Sequence, residues 1–330
     1  MFDKIYTFVS DPDLIWEKIL SLMERKLWQK FLYFNNWADL YYKIRIDDPV
    51  YKKSTFSPEI YTEFLESFLQ KKPNAAIVSL WCWNSKAESS FLEKRSDLSD
   101  LSYVWIDLSY EMLQFSINSM QDIKLSDKKF VRADFWSGDF NKHLNNLTRN
   151  KIGSRIFSFF SNTLWNIPHT NIVDTLYNLS EEWEYVRVDV RLRSGLTSKD
   201  DLNHAKMMKE SLMKEARHKF YINVIQDLWI PEESWELIIS TNKEPSIKAL
   251  RFHTYFYLTS RVELKINWKR IIILPGEKIS IVEQYLYDTD WLIEYFYQHN
   301  FSLVKQSIQG LRWMFLFERN KENHSTQLVN

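Results

Sequence analysis

The stretch AAIVSLWCWNSKAESSFL, residues 75–92, decides how the rest of the chain is read. Its first six residues are a short apolar run, which reads as a buried strand. From Lys86 onward it reads as a helix. A strand that turns directly into a helix opens a nucleotide-binding α/β fold, and such a turn carries glycines so that backbone and ligand can approach closely. Here the turn is LWCWNS, 80–85, and Trp81 and Trp83 stand where glycine is wanted.

The alternation continues downstream. YVWIDL (103–108) precedes a helix over 109–120, and KFVRAD (129–134) precedes a polar helix around 139–149. RIFSFFS (155–161) precedes a helix over 169–180, and YVRVDVRL (185–192) follows. Strand–helix alternation at this spacing predicts an α/β fold with a doubly wound, Rossmann-like parallel sheet. Residues 1–72 have helical spacing and predict a helical N-terminal cap, with the core running over 73–195. Residues 196–275 predict an inserted α+β substrate subdomain: a long helical stretch, then antiparallel strands. Residues 276–320 predict a return to the core, with EQYLYDTDWLIEYFYQHN as a helix and FSLVKQSIQ and RWMFLFER as final strands. The tail 321–330 reads as disordered.

Bulk numbers narrow the class. Lys and Arg total 43, as do Asp and Glu, so nothing in the net charge draws the chain to nucleic acid or a membrane surface. The N-terminus lacks a signal-peptide core, and the longest apolar runs, such as IIIL at 271–274, are too short to span a bilayer. One cysteine, Cys82, excludes an internal disulfide framework, and seven histidines show no metal-ligand spacing. The expectation is a cytoplasmic, monomeric protein with no metal.

Two counts are abnormal. There are 5 glycines among 330 residues, where ordinary usage of about 7% gives roughly 23. There are 14 tryptophans, and several lie where glycine belongs. Asn267-Trp268 sits between two β-rich runs, at a hairpin turn that favours Asn-Gly. Trp183 and Trp229 follow helices, at sites that favour a C′ glycine. Trp136 and Trp165 lie in loop-like segments, and Trp105 lies inside a strand. Single indoles at such places are ordinary core residues. Their recurrence, with glycine missing, predicts that several are UGA codons, which some bacterial lineages read as glycine.

Ligands of open α/β sheets bind at the carboxyl ends of the strands. Strand one ends in Trp81-Cys82-Trp83, with Lys86 close behind. Strand two ends in Asp107-Leu108, where a carboxylate can accept both ribose hydroxyls. Strand three ends in Asp134-Phe135, suited to an adenine amine and ring. Asp107 read alone is equally a helix cap. Three such ends in register support one another.

With these motifs in place, VSLWCWNSKAE, YVWIDLSYEML and VRADF together resemble class I S-adenosylmethionine-dependent methyltransferases. FFSNTLWNIPH, with glycine read at 165, resembles the Gly-Ser-Thr-x-Gly-Asn stretch of the histidine-specific N-alpha-methyltransferases of ergothioneine biosynthesis. LPGEKISIVEQYLYD also fits that family's layout. The resemblance implies S-adenosyl-L-methionine as cofactor and a small-molecule methyl acceptor. It places Asn162 near the cofactor, and Thr163 and Asn166 near the acceptor's amine and carboxylate. The family's Thr-Glu-x-Ser run reads Ile281, Val282 and Gln284 here, with Glu283 one residue out of register. Glu283, Tyr285 and Tyr287 are candidate acceptor contacts, or equally one solvated face of an element. No obligate catalytic base is legible. A catalytically inactive methyltransferase-like binding module is the alternative, because real indoles at 81 and 83 fill the cofactor's space. A Rossmann oxidoreductase ranks third, because its third glycine falls at Lys86.

Overall fold

The protein is described by a computed structural model over residues 4–27, 29–34, 36–47, 58–70, 72, 74–82, 85–94, 100–137, 140–148, 154–159, 169–192, 206, 210, 215–266, 268–309 and 312–321. A short strand β1 (Ile5–Thr7) leads to helices α1 (Asp11–Met23), α2 (Asn36–Asp47) and α3 (Pro58–Leu69). Strands β2 (Ala76–Leu80), β3 (Ser102–Asp107), β4 (Asp127–Arg132), β5 (Arg155–Phe159) and β6 (Tyr185–Arg191) follow. They alternate with α4 (Lys86–Leu92), α5 (Tyr110–Met120), α6 (Phe140–Thr148) and α7 (His169–Leu179). Helix α8 (Glu215–Gln226) precedes β7 (Trp235–Glu244), β8 (Ala249–Leu258), β9 (Val262–Ile266), β10 (Lys269–Ile273) and β11 (Lys278–Tyr287). The described chain closes with α9 (Thr289–Gln298), β12 (Phe301–Gln309) and β13 (Arg312–Arg319).

The main sheet has the order β1-β4-β3-β2-β5-β6-β13-β12. β1 through β6 are parallel, and β13 is antiparallel to β6 and to β12. Period-2 side-chain alternation divides the core between the two faces. Val78, Leu80, Val104, Ile106, Phe157 and Phe159 join one apolar cluster with α6, α7 and α9. Ile77, Tyr103, Trp105 and Phe130 join the other, against α3, α4 and α5. Chain direction across the sheet reverses at β2, which pairs β3 on one side and β5 on the other. The carboxyl end of β2 is therefore the topological switch point, where an open sheet leaves a crevice.

A second, antiparallel sheet of order β11-β8-β7 is built from the inserted segment, beside the β9–β10 hairpin. Three expectations change here. Residues 283–287, expected to begin a helix, end strand β11: Val282, Gln284 and Leu286 are buried, and Asp288 caps α9 by accepting the Trp291 N–H at 3.1 Å. The small sheet therefore reaches Tyr287, past the expected return to the core at 276. β7 adds a strand that the sequence did not announce. At the other end, β1 interrupts the expected all-helical cap, because Ile5–Thr7 satisfies the outer edge of β4.

Backbone geometry bears on the tryptophans. Trp81, Trp183 and Trp229 all have positive φ, at 59°, 67° and 57°. For a bulky side chain this is a strained conformation. Trp229 ends α8 in a Schellman motif: its own N–H donates to Gln226 O at 2.8 Å and the Ile230 N–H to Ile225 O at 3.5 Å. Trp183 is not a helix C′ residue as expected. Helix α7 ends four residues earlier, and Trp183 lies in the turn closed by Glu184 N–H to Glu181 O at 3.2 Å. Trp105 is a fully buried strand residue stacked between Tyr103 and Phe130. Asn267 lies outside the described residues, but Ile266 pairs with Lys269, so the hairpin has its two-residue loop.

A clean test follows at Trp229, whose side chain is 91% exposed and so forfeits little burial when removed. Trp229→Gly is expected to stabilise the fold by about 1 kcal/mol through relief of the left-handed strain. Trp229→Ala keeps a Cβ and is expected to gain much less. Thermal unfolding of the two variants beside the parent measures both.

Candidate functional site

Three neighbouring strands deliver their carboxyl ends to one place. The Cys82 N–H donates to Ile106 O at 3.1 Å and the Ala133 N–H to Asp107 O at 3.1 Å, which stitches the ends of β2, β3 and β4 together. Trp81, Cys82, Asp107, Leu108, Asp134 and Phe135 are thereby brought together as the sequence predicts. Lys86 opens α4 with its side chain exposed. Trp83, Asn162, Thr163, Trp165 and Asn166 lie outside the described residues.

After β2 the chain turns sharply. Trp81 takes positive φ, and Ser85 takes φ 51° as the N-cap of α4 without a side-chain capping bond. The Ser85 hydroxyl instead lies 2.8 Å from Ser116 Oγ and 3.3 Å from Cys82 O, either of which can accept its one proton. The Cys82 thiol lies 3.4 Å from Ser116 Oγ, and burial pushes it well above the ordinary thiol range. Beneath the loop, Ser79 donates to the buried Glu88 carboxylate at 3.0 Å.

Asp107 is buried, and its Oδ1 accepts the Ser109 N–H at 3.0 Å. Asp134 Oδ1 accepts the Trp136 N–H at 3.0 Å, while Oδ2 lies 2.6 Å from Lys30 Nζ. Phe135 is buried against Trp136 and Phe159. A cleft of about 490 Å³ lies to one side, against Arg132 at the end of β4 and Tyr110 and Glu111 at the start of α5, with Leu14, Lys18 and Phe31 in its wall; Trp81, Asp107, Asp134 and Phe135 do not line it. The Lys30 contact to Asp134 is one that sequence reasoning missed, since the two stand 104 residues apart in the chain.

The ends of β3 and β4 fit an adenosine: a buried carboxylate for vicinal hydroxyls, apolar Leu108 and Phe135, and a second carboxylate for an amine donor. The β2 turn fits less well. The Trp81 indole is only 8% exposed and packs edge-on against Tyr33 (5.9 Å) and Phe135 (6.4 Å). It stands at the β2 turn, where the resemblance places the methionine portion of the cofactor. A glycine at that φ would open it.

A second polar group gathers on one face of the small sheet. A bulge between Ser280 and Val282 resets the alternation of β11, so that Glu283 pairs with His253 and Tyr285 with Arg251. Glu283 accepts from Arg251 at 2.6 Å and from the Tyr285 hydroxyl at 3.2 Å, and Lys26 lies at 4.0 Å. Burial works to raise the Glu283 carboxyl, but Lys26 and Arg251 outweigh it and hold it below the usual carboxylate range. Burial chiefly, then Glu283, raises the Tyr285 phenol. His253 is lowered chiefly by burial and contacts Ser280 Oγ at 2.8 Å. The Tyr287 hydroxyl accepts the His169 N–H at 3.1 Å, at the start of α7.

Against known proteins, a family model described as histidine-specific methyltransferase, SAM-dependent, matches residues 16–317. Among solved structures, the chain is similar to an S-adenosylmethionine-dependent methyltransferase from Clostridium acetobutylicum (13% identity, 87% of this chain and 99% of that one, TM-score 0.42). It is also similar to the PH0226 protein of Pyrococcus horikoshii (10% identity, 85% and 98%, TM-score 0.45). A third is the 1,6-didemethyltoxoflavin-N1-methyltransferase of Burkholderia thailandensis (8% identity, 95% and 92%, TM-score 0.43). No curated protein sequence matches the chain.

Proposed function

The chain belongs to the histidine-specific, S-adenosylmethionine-dependent methyltransferase family, and from that premise we propose that its acceptor is a nitrogen of a small amino acid or related amine. The enzyme is a methyltransferase and S-adenosylmethionine is its cofactor. The observation that carries the proposed acceptor is the polar face of β11, where an ionised Glu283 meets Arg251 and Tyr285 in the inserted sheet. The bulge at Ile281 supports the reading. It turns Glu283, rather than Val282, to the face of Arg251 and His253, and so takes up the one-residue offset from the family's run.

S-adenosylmethionine supplies a methyl group already activated on a sulfonium. The protein has to align the acceptor, keep water out and present an unprotonated nitrogen. In this reading Asp107 accepts the ribose hydroxyls, Leu108 and Phe135 hold the adenine ring, and Asp134 accepts its amine. Trp81, Cys82, Trp83 and Lys86 form the turn beside the methionine portion, with Asn162 near it. Glu283 and Tyr285 hold the acceptor's side chain, and Thr163 and Asn166 its amine and carboxylate. Glu283 stays ionised at neutral pH, so it serves as a hydrogen-bond acceptor rather than an acid.

The same proposal holds that Trp81, Trp83 and Trp165 are glycine in the cell. Positive φ at Trp81, Trp183 and Trp229 supports it, because chance offers no reason for indoles to collect at such sites. If tryptophan is indeed placed at 81, the filled β2 turn favours the non-catalytic binding module instead.

The test is methyl transfer from S-adenosylmethionine to a panel of amino acids, histidine among them, and to their decarboxylated amines, followed by mass spectrometry. Glycine-bearing protein is expected to methylate at least one. Glu283→Gln is expected to raise the KM of that acceptor about tenfold through loss of a charge-assisted hydrogen bond, leaving the KM for S-adenosylmethionine unchanged. A chain that binds S-adenosylmethionine yet methylates nothing in the panel would overturn the acceptor reading.

A further inference from the structure

We propose that Lys30 is a positioning residue of the cofactor site: its ammonium, held between Glu17 and Asp134, fixes the carboxylate that reads the adenine amine. The inference rests on the assignment of Asp134 to adenine made above.

The geometry is specific. Lys30 Nζ lies 2.6 Å from Asp134 Oδ2 and also pairs with Glu17, and the Lys30 and Asp134 side chains are only 12% and 13% exposed. A carboxylate offers about four lone-pair positions. On Asp134 the Trp136 N–H uses one and Lys30 another. The remaining positions can accept an amine, and the carboxylate that offers them no longer rotates. One cation between two acids leaves the group with a net negative charge. That favours a donor such as the exocyclic amine of adenine and disfavours a carbonyl oxygen at the same position.

The segment that carries Lys30 is anchored far from Asp134. The Ser280 N–H donates to Arg25 O at 2.9 Å, and the Leu27 N–H donates to Ser280 O at 2.8 Å. Arg25 forms a two-pronged ion pair with Glu277, with both contacts at 3.1 Å. Residues 25–27 are thus tied to β11 of the small sheet, and Lys30 reaches the end of β4. Lys26 in the same segment lies 4.0 Å from Glu283. A cation tethered at its far end can hold a carboxylate in one rotamer before any ligand arrives, which is what a preorganised site requires.

The experiment measures binding of S-adenosylhomocysteine and of its hypoxanthine counterpart, S-inosylhomocysteine, by calorimetry. It uses the full chain, as written or with glycine at 81, 83 and 165, whichever binds S-adenosylhomocysteine. Lys30→Gln is expected to weaken S-adenosylhomocysteine about tenfold and to narrow the preference for adenine over hypoxanthine. Lys30→Arg is expected to restore both, and melting curves confirm that the variants are folded. The inference is overturned if Lys30→Gln binds within twofold of the parent, or if it weakens both ligands equally and leaves the preference intact, as a merely structural role predicts. Asp134→Asn separates the two claims. If it leaves the preference unaltered, the adenine reading fails first; if it abolishes the preference while Lys30→Gln does not narrow it, only the role of Lys30 fails.

Discussion

Replacing Trp81, Trp83 and Trp165 with glycine is expected to raise the affinity for S-adenosylmethionine by about 100-fold or more. The argument rests on Trp81, the one of the three that the structure describes. For the written chain to admit the cofactor, the indole must leave a site where it is 8% exposed and meets Tyr33 and Phe135 edge-on. Exposing an aromatic side chain costs about 1.5–3 kcal/mol, and each edge-to-face pair adds about 0.5–1.5 kcal/mol. A total near 3 kcal/mol is about two orders of magnitude in binding. Glycine removes the obstacle and also the strain of a bulky residue at φ 59°. Calorimetry on the two proteins measures the difference. Equal affinity would sink the idea; UGG codons at 81, 83 and 165 in the coding DNA would overturn the separate proposal that these positions are glycine in the cell.

The parallel core was legible because its strands are short apolar runs between helices, and its faces follow from alternate residues such as Val78 and Ile77. What escaped were elements whose pattern is set by neighbours rather than by their own chain. β1 has three residues, too few for any period to show. β7 ends in polar Thr241–Glu244 because it is an edge strand with little to bury. Residues 283–287 read as helix because aromatic residues recur at spacings that suit both periods, and only pairing with β8 decides between them. The proposed site divides in the same way. The placement of Asp107 and Asp134 at neighbouring strand ends was legible because strand ends are fixed by local sequence. Lys30 was not, since a lysine on an amphipathic segment carries no mark of the carboxylate it meets. The tryptophans are the reverse case. Glycine scarcity points to Trp81, Trp183 and Trp229, which take positive φ, because local backbone demand at a turn is written into its flanking residues; it also points to Trp105 and Trp136, which do not.

Asp107→Asn is expected to weaken S-adenosylmethionine about 10- to 150-fold while leaving the fold intact. Asp107 is buried at the end of β3, and its Oδ1 accepts the Ser109 N–H that starts α5. The asparagine carbonyl can keep that bond, so the helix start survives. What disappears is a charged acceptor at a buried strand end. Hydrogen bonds to charged groups are worth about 1.5–3 kcal/mol, and an asparagine NH2 facing a hydroxyl offers a donor where an acceptor was wanted. Because the ribose contact is made alike in the ground and transition states, the loss should fall on KM for S-adenosylmethionine, with kcat nearly unchanged. Steady-state kinetics with saturating acceptor separates the two parameters. A fall in kcat at constant KM would place Asp107 in the chemical step instead, and retained affinity would remove the ribose from this strand end altogether.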